Sequence, residues 1–270
     1  MKVTYIQHSS FCIEFEQDKI VLLFDYYEGD LLEWEPDSHI YVFASHKHFD
    51  HYSKKIFAIG EKYEHTEFIL DKEIKMNTKY MDRCHIPMVV RDKITYVTND
   101  YAYCFNQKME LTQQEQITKF LPVDSTKEQT ENNEIMVRTL DSTDSGVAYV
   151  IDCAGKCIYH AGDLNWWTWI GETDQEYQSM TERFQKEIKK VSINSNIQFD
   201  VAFLPLDPRQ EERFYWGFDY FMRHCNVRAA FPMHMWKDYS VVAKILELKE
   251  SVEYRDRIYR IEKENQEFNL

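Results

Sequence analysis

Ser45-His46-Lys47-His48-Phe49-Asp50-His51 is the stretch whose reading decides the fold. It sets three histidines and an aspartate directly behind His39-Ile40-Tyr41-Val42-Phe43-Ala44, an apolar run that reads as a buried strand ending at Ser45. Neutral imidazole is the commonest metal-ligating side chain, and carboxylates complete catalytic zinc or iron sites. The alternate residues His46 and His48 can point the same way off a strand end. Asp50 and His51 then turn onto the start of a helix and face the same point from another side. A solvated histidine-rich loop is the competing reading, but such a loop has no reason to follow a buried strand so abruptly.

Upstream of this stretch the chain reads as a β-meander, with short apolar runs at 3–6, 11–15 and 20–24. Downstream, helical signals run from Ser53 through Gly60, and Phe68-Ile69-Leu70 reads as a strand. Residues 71–135 are polar and rich in Gln and Glu; strands and one helix are expected there. Further strands are expected at 136–138, 146–151, 157–160, 200–206 and 227–231, with a closing strand near Ile258. Tyr177, Met180, Phe184, Ile188 and Val191 recur at helical spacing, which predicts a helix over 172–191 that faces the core. Shorter helices are expected at 218–225 and 240–250. No repeat or linker interrupts the pattern, so residues 1–270 are read as one domain.

Composition narrows the function classes. The 270 residues are 44% hydrophobic and 29% charged, as in ordinary globular proteins. The formal net charge of -14 disfavours a protein that tracks nucleic-acid backbone over a broad surface. A small-molecule substrate is the expected partner. Lys2-Val3-Thr4-Tyr5-Ile6 does not resemble a leader, and no run approaches the roughly 18 apolar residues that span a bilayer. The six cysteines are scattered and read as reduced thiols, so the expected location is the cytoplasm. Cys153 and Cys157 flank a turn at Ala154-Gly155-Lys156, but no second pair completes a zinc set. The seven glycines form no phosphate-binding loop or dinucleotide fingerprint, and no G-x-S-x-G elbow is present. The chemistry must rest on side chains.

His46-x-His48-x-Asp50-His51 resembles the H-x-H-x-D-H signature of the metallo-β-lactamase superfamily. Gln7-His8-Ser9-Ser10-Phe11-Cys12-Ile13-Glu14 looks like the first hairpin of its lactonase-like branch. Tyr159-His160-Ala161-Gly162-Asp163 is similar to the strand end that supplies a metal-bridging aspartate. Pro232-Met233-His234 is similar to the late strand end that supplies the last histidine. The resemblance implies an α+β fold, a four-layer αββα sandwich. It also implies a divalent-metal hydrolase with one or two ions per chain, zinc foremost and manganese or iron as alternatives.

The roles follow from the resemblance. His46 and His48, with a further ligand, would hold one metal, and Asp50, His51 and His234 a second. Asp163 would bridge ions about 3.5–4 Å apart, with a water of lowered pKa as nucleophile. Asp50 and Asp163 are thus the expected catalytic carboxylates. Asp25, at the end of Leu22-Leu23-Phe24, resembles a carboxylate that orients a ligand histidine. The pattern departs from the family where a third histidine is usual: the slot reads Leu140-Asp141-Ser142-Thr143-Asp144-Ser145-Gly146. Asp144 is the candidate replacement and Asp141 the next choice; a turn role stays open for both. A carboxylate there would favour harder metals, and an unfilled first site would leave a one-metal enzyme or a protein that only binds.

Four further residues are placed near the site as expectations. Trp166 stands for the Asn165-Trp166-Trp167-Thr168-Trp169 segment, of which one indole is expected to line the pocket. Arg209 either holds a substrate anion or is a surface arginine. His8 and His160 either reach the pocket or serve as structural histidines. The leading function is hydrolysis of an ester-type bond, lactone or phosphodiester, in a small molecule. A nuclease, or a non-catalytic binder that has lost one metal site, are the alternatives.

Overall fold

Alternation along the central strands explains the layering. In a computed structural model describing residues 1–29, 31–122 and 134–270, Leu22 and Phe24 enter one apolar cluster while Val21 and Leu23 enter another. Tyr41 and Phe43 divide from Ile40, Val42 and Ala44 in the same way. A strand with period-2 side chains and both faces covered is apolar throughout, which is why these runs are unbroken in the sequence.

The first sheet contains strands β1 (Lys2–Gln7), β2 (Ser10–Phe15), β3 (Ile20–Phe24), β4 (His39–Ala44), β5 (Thr66–Asp71), β6 (Ile94–Val97) and, across the chain, β14 (Gln266–Asn269). Its order is β14-β1-β2-β3-β4-β5-β6, antiparallel up to β3 and parallel from β3 to β6. The second sheet contains β7 (Tyr101–Phe105), β8 (Leu111–Gln116), β9 (Ile135–Asp141), β10 (Val147–Cys153), β11 (Lys156–His160), β12 (Gln198–Pro205) and β13 (Asn226–Met233), in the order β13-β12-β11-β10-β9-β7-β8. There the parallel part is β11-β12-β13.

Helices α1 (Phe57–Lys62), α2 (Thr78–Arg83) and α3 (Met88–Arg91) contribute Phe57, Met81 and Val90 to the cluster outside the first sheet. Helices α4 (Asp174–Lys190), α5 (Trp216–His224) and α6 (Ser240–Glu247) bring Phe184, Phe221 and Ile245 to the larger cluster, which holds residues of both sheets. The result is the α+β sandwich of two mixed sheets flanked by helices. Helix α4 starts at a capping box in which Thr173 and Glu176 satisfy each other's backbone N–H, and it buries Phe184 and Ile188. Among the described residues no helix is long and apolar enough to cross a membrane.

Two local expectations are corrected. Ile258 makes one isolated bridge to Ala230, and the closing strand is β14, whose Gln-Glu-Phe-Asn sequence carries little apolar signal. Residues 71–135 hold two short α-helices and a 3-10 turn at Lys72–Ile74 rather than one helix, and residues 123–133 of that span lie outside those described. Cys157 is paired in register with Asp152, and Cys153 with Lys156, so the two thiols sit on opposite faces of the hairpin. All six cysteines are free.

Candidate metal centre

Strand ends converge at one edge of the sandwich. β3 delivers Asp25, β4 delivers Ser45 and His46, β11 leads to Asp163, β12 to Asp207 and β13 to His234. The β1–β2 turn carries His8, whose carbonyl accepts the N–H of His234 at 3.1 Å. His8, Asp25 and His234 all have positive φ, at 50, 44 and 63°. Left-handed backbone at three non-glycine residues is costly, and its clustering here marks a place where side-chain direction outweighs backbone ease.

Two glycines bring the sheets together at this edge. A Cβ on Gly146 (φ 71°) would lie 1.9 Å from the carbonyl oxygen of Ser45 and 2.5 Å from the Cβ of His46. A Cβ on Gly162 (φ 51°) would lie 2.7 Å from the Cβ of Ser45. Only glycine permits both the dihedrals and the approach. The close contact lets Val147 N–H donate to the Ser45 carbonyl at 3.0 Å.

Carboxylates behind the imidazoles set their orientation. Asp25 is buried and accepts Ser45 N–H, Ser45 Oγ–H and His51 Nδ1–H, each at 2.7 Å. Because the Ser45 hydroxyl gives its proton to Asp25, it accepts from His46 Nδ1 at 3.0 Å. Asp207 has no exposed surface and accepts His234 Nδ1–H at 2.8 Å, Trp236 Nε1–H at 3.3 Å and the Arg209 guanidinium. In all three histidines Nδ1 is occupied, which leaves Nε2 as the atom turned toward Asp163.

These inward atoms lack partners. Nε2 of His8, His46, His51 and His234 and Oδ1 of Asp163 are buried and make no hydrogen bond. His8, Asp50, His51 and His234 present ligand atoms within 4.8 Å of one another, and so do His46, His48 and Asp163. Asp163 belongs to the second of these groups and also approaches two histidines of the first. Its Oδ2 lies 3.4 Å from His46 Nε2, while its Oδ1 lies 3.1 Å from His51 Nε2 and 3.4 Å from His234 Nε2. Buried polar atoms without partners are costly unless a cation satisfies them, so this nitrogen and carboxylate set fits divalent metal.

Charge follows the same geometry. Burial opposes ionisation of Asp163, but His51, His234 and His46 around it hold its carboxyl well below the usual range. Burial also opposes a charge on His51, yet Asp163 and Asp25 on either side raise its pKa well above ordinary. Burial pushes His8 and His46 down to about 4. Asp50 is held low by His8 and His51 against its burial.

The remaining expected residues divide. Asp144 lies close enough for Asp163, His48, His234 and His51 to influence it, and burial raises its carboxyl, but it is outside both ligand groups. Asp141 is exposed at the end of β9. Trp166 does not face the centre: it packs on Phe184 and Trp216 and donates Nε1–H to Thr181 at 3.0 Å. Trp167 does, with its ring 5.4 Å from that of His234 and its Nε1–H on the Asp163 carbonyl at 2.8 Å. Arg209 is engaged by Asp207 and lies over the Trp236 ring at 4.5 Å, so it braces the acid behind His234. His160 donates Nε2–H to the Ser9 carbonyl at 3.0 Å, accepts Gly162 N–H at 3.1 Å, and stacks on Phe24.

Sequence reasoning missed Asp207 and Ser45. The signal for Asp207 was present: Phe203-Leu204-Pro205-Leu206 runs into it as Leu22-Leu23-Phe24 runs into Asp25.

Comparison with known proteins bears on the family and the fold. A family model described as a beta-lactamase superfamily domain matches residues 2–168, ending before Asp207 and His234. A protein from Parabacteroides distasonis assigned as a metal-dependent hydrolase is 14% identical, with a TM-score of 0.52 over 96% of this chain and 92% of that one. The short form of human tRNase Z is 12% identical, with a TM-score of 0.49 over 100% of this chain and 99% of that one. The likeness to the Parabacteroides distasonis protein is one of fold. No curated protein matches the sequence. With a family model covering more than half its length, from the first strand through Asp163, the chain belongs to the metallo-β-lactamase superfamily.

Proposed function

We propose that the protein is a metal-dependent hydrolase that directs water onto an ester-type bond, a lactone or a phosphodiester, of a small molecule. The observation that carries this reading is the convergence of unpartnered imidazole Nε2 atoms on the two oxygens of one buried carboxylate, Asp163. When bound, divalent cations there would supply Lewis acidity and a water of near-neutral pKa. Asp163 places negative charge between the two donor groups. Asp50 is held ionised by His8 and His51 against its burial, and offers its carboxylate to a cation beside them. Asp25 and Asp207 fix the imidazoles so that little reorganisation accompanies reaction.

Trp167 shields one side of His234 and also lines a cavity of about 610 Å³ with Trp169, Glu172, Met180 and Arg183. An indole wall beside a metal centre suits the flat or apolar part of a small substrate. The net charge of -14 argues against the nuclease alternative. One observation favours a second reading, a binding protein with a lost metal site: His46, His48 and Asp163 form a group of three, with Asp144 outside it.

The test is metal content by elemental analysis after loading with zinc, manganese or iron. It is followed by turnover of simple lactones and of a chromogenic phosphodiester by the wild type and Asp163→Asn. Bound metal with turnover that Asp163→Asn abolishes is the expected result. Metal without turnover of either class favours the binding protein, and absence of metal under replete conditions overturns both readings.

A further inference from the structure

The two donor groups are unequal, and the inequality runs through His8. The first offers His46, His48 and the shared Asp163. The second offers His8, Asp50, His51 and His234, with Asp163 Oδ1 3.1 Å from His51 Nε2 as a further donor. His8 is 5% exposed, its Nε2 has no hydrogen-bond partner, and it lies 3.3 Å from Asp50 Oδ2. Its ring centroid is 4.2 Å from that of His234. A residue forced to φ 50° at the β1–β2 turn, and tied by its carbonyl to His234 N–H, is held with its side chain in the centre.

We infer that His8 is a metal ligand, and that it makes the His8/Asp50/His51/His234 group the tight site and the His46/His48 group the labile one. This rests on the hydrolase reading only in requiring that the centre take up metal. Affinity grows with the number of preorganised donors, and the second group has four residues of its own where the first has two plus a shared carboxylate. Asp25 holds His51 and Asp207 holds His234 from behind, so two of those four donors are already oriented. With Asp163 added, the donor number exceeds the four of a closed tetrahedral zinc site and suits metals that accept five or six ligands, such as manganese or iron. A one-metal form of the protein would then hold its ion on the side of the centre that includes the β1–β2 turn.

The alternative role for His8 is a hydrogen bond that positions Asp50, and the experiment must separate the two. Metal-free wild type, His8→Gln, His8→Gly and His48→Ala are titrated with cobalt(II), following visible absorption and bound cobalt by elemental analysis. Circular dichroism checks that each metal-free variant is folded. Wild type is expected to bind one cobalt tightly and a second more weakly. His48→Ala should keep the tight ion and its spectrum and lose the weak one. His8→Gln retains an amide able to hydrogen bond Asp50 but is a poor ligand. It should weaken the tight ion by roughly 100-fold or more and change its absorption bands. His8→Gly, which suits the positive φ, should regain the tight ion within about tenfold when imidazole is added. A wild-type spectrum and affinity in His8→Gln, or loss of the tight ion in His48→Ala, overturns the assignment. Failure of wild type to bind any cobalt overturns the hydrolase reading itself.

Discussion

Asp207 receives the Nδ1–H of His234 at 2.8 Å from a position with no solvent exposure. It is held down to about 2 against its burial, first by His234 and then by Arg209. Asp207→Asn keeps the shape and removes the charge, so metal affinity should fall by about 10- to 100-fold. Asp207→Ala removes the common acceptor of His234, Trp236 and Arg209 and should also cost about 3 kcal/mol of stability. Arg209→Ala should weaken metal only a few-fold, because the guanidinium acts through Asp207. Chelator competition measures all three, and unchanged affinity in Asp207→Asn would show that His234 needs no support.

Gly146 and Gly155 have nearly the same positive φ, 71 and 70°, but different surroundings. Nothing lies within 4 Å of a Cβ built on Gly155, whereas one on Gly146 meets the Ser45 carbonyl at 1.9 Å. Both alanine variants bear the left-handed backbone cost of roughly 1–2 kcal/mol. Gly146→Ala must in addition push Ser45 and His46 aside, so it should lose at least about 2 kcal/mol more and bind metal poorly. Equal melting temperatures for the two variants would mean that the sheets do not meet as closely as described.

Burial lowers His8 to about 4, the nearby imidazoles of His234 and His51 add to this, and Asp50 opposes it. In metal-free protein His8 therefore stays neutral while the unfolded chain takes up a proton near its ordinary 6.5. Its contribution to stability is present above that value and lost as pH falls toward 4. Total stability is a poor probe, because burial raises Glu67 to about 8 and Asp71 to about 6, and these gain as pH falls. His51, raised well above 6.5, is fully stabilising below that pH and adds no acid slope. The difference between His8→Gln and wild type isolates the effect. The variant should gain on wild type by up to roughly 3 kcal/mol between pH 7 and 4 in metal-free denaturant titrations. A difference that does not change with pH would place His8 in water.

The parts of the centre legible in the sequence were those where chemistry and chain order coincide. His46, His48, Asp50 and His51 sit within six residues behind an apolar strand, and Asp163 and His234 end similar runs. Strands such as β3 and β4 were legible because strands covered on both faces are apolar throughout, whereas their division into two sheets came only from the resemblance of the motifs. What distance in sequence separates could not be read. Whether Trp166 or Trp167 faces His234 depends on how the segment turns after Asp163, and Arg209 read as free because Asp207 beside it was given no role. The closing strand was misplaced because Gln266–Asn269 joins the sheet edge through backbone pairing with β1 and buries little apolar surface.

The tryptophan segment gives a test that needs no substrate. Trp167 lies 5.4 Å from the His234 ring and Trp236 lies 5.6 Å from it, both as centroid distances, while Trp166 is turned toward α4 and α5. Cobalt(II) bound at the centre quenches indole fluorescence only over short range, so the quenched fraction belongs mainly to the two near rings. Trp167→Phe and Trp236→Phe should each remove a large part of the quenching on cobalt addition, and Trp166→Phe should leave it nearly intact. Stability should follow the opposite order. Trp166→Phe loses the hydrogen bond to Thr181 and the fit against Phe184, and should cost about 1–2 kcal/mol. Trp236, 39% exposed, should cost less. If Trp166→Phe abolished the quenching, the segment would run the other way round and Trp167 would not lie against His234.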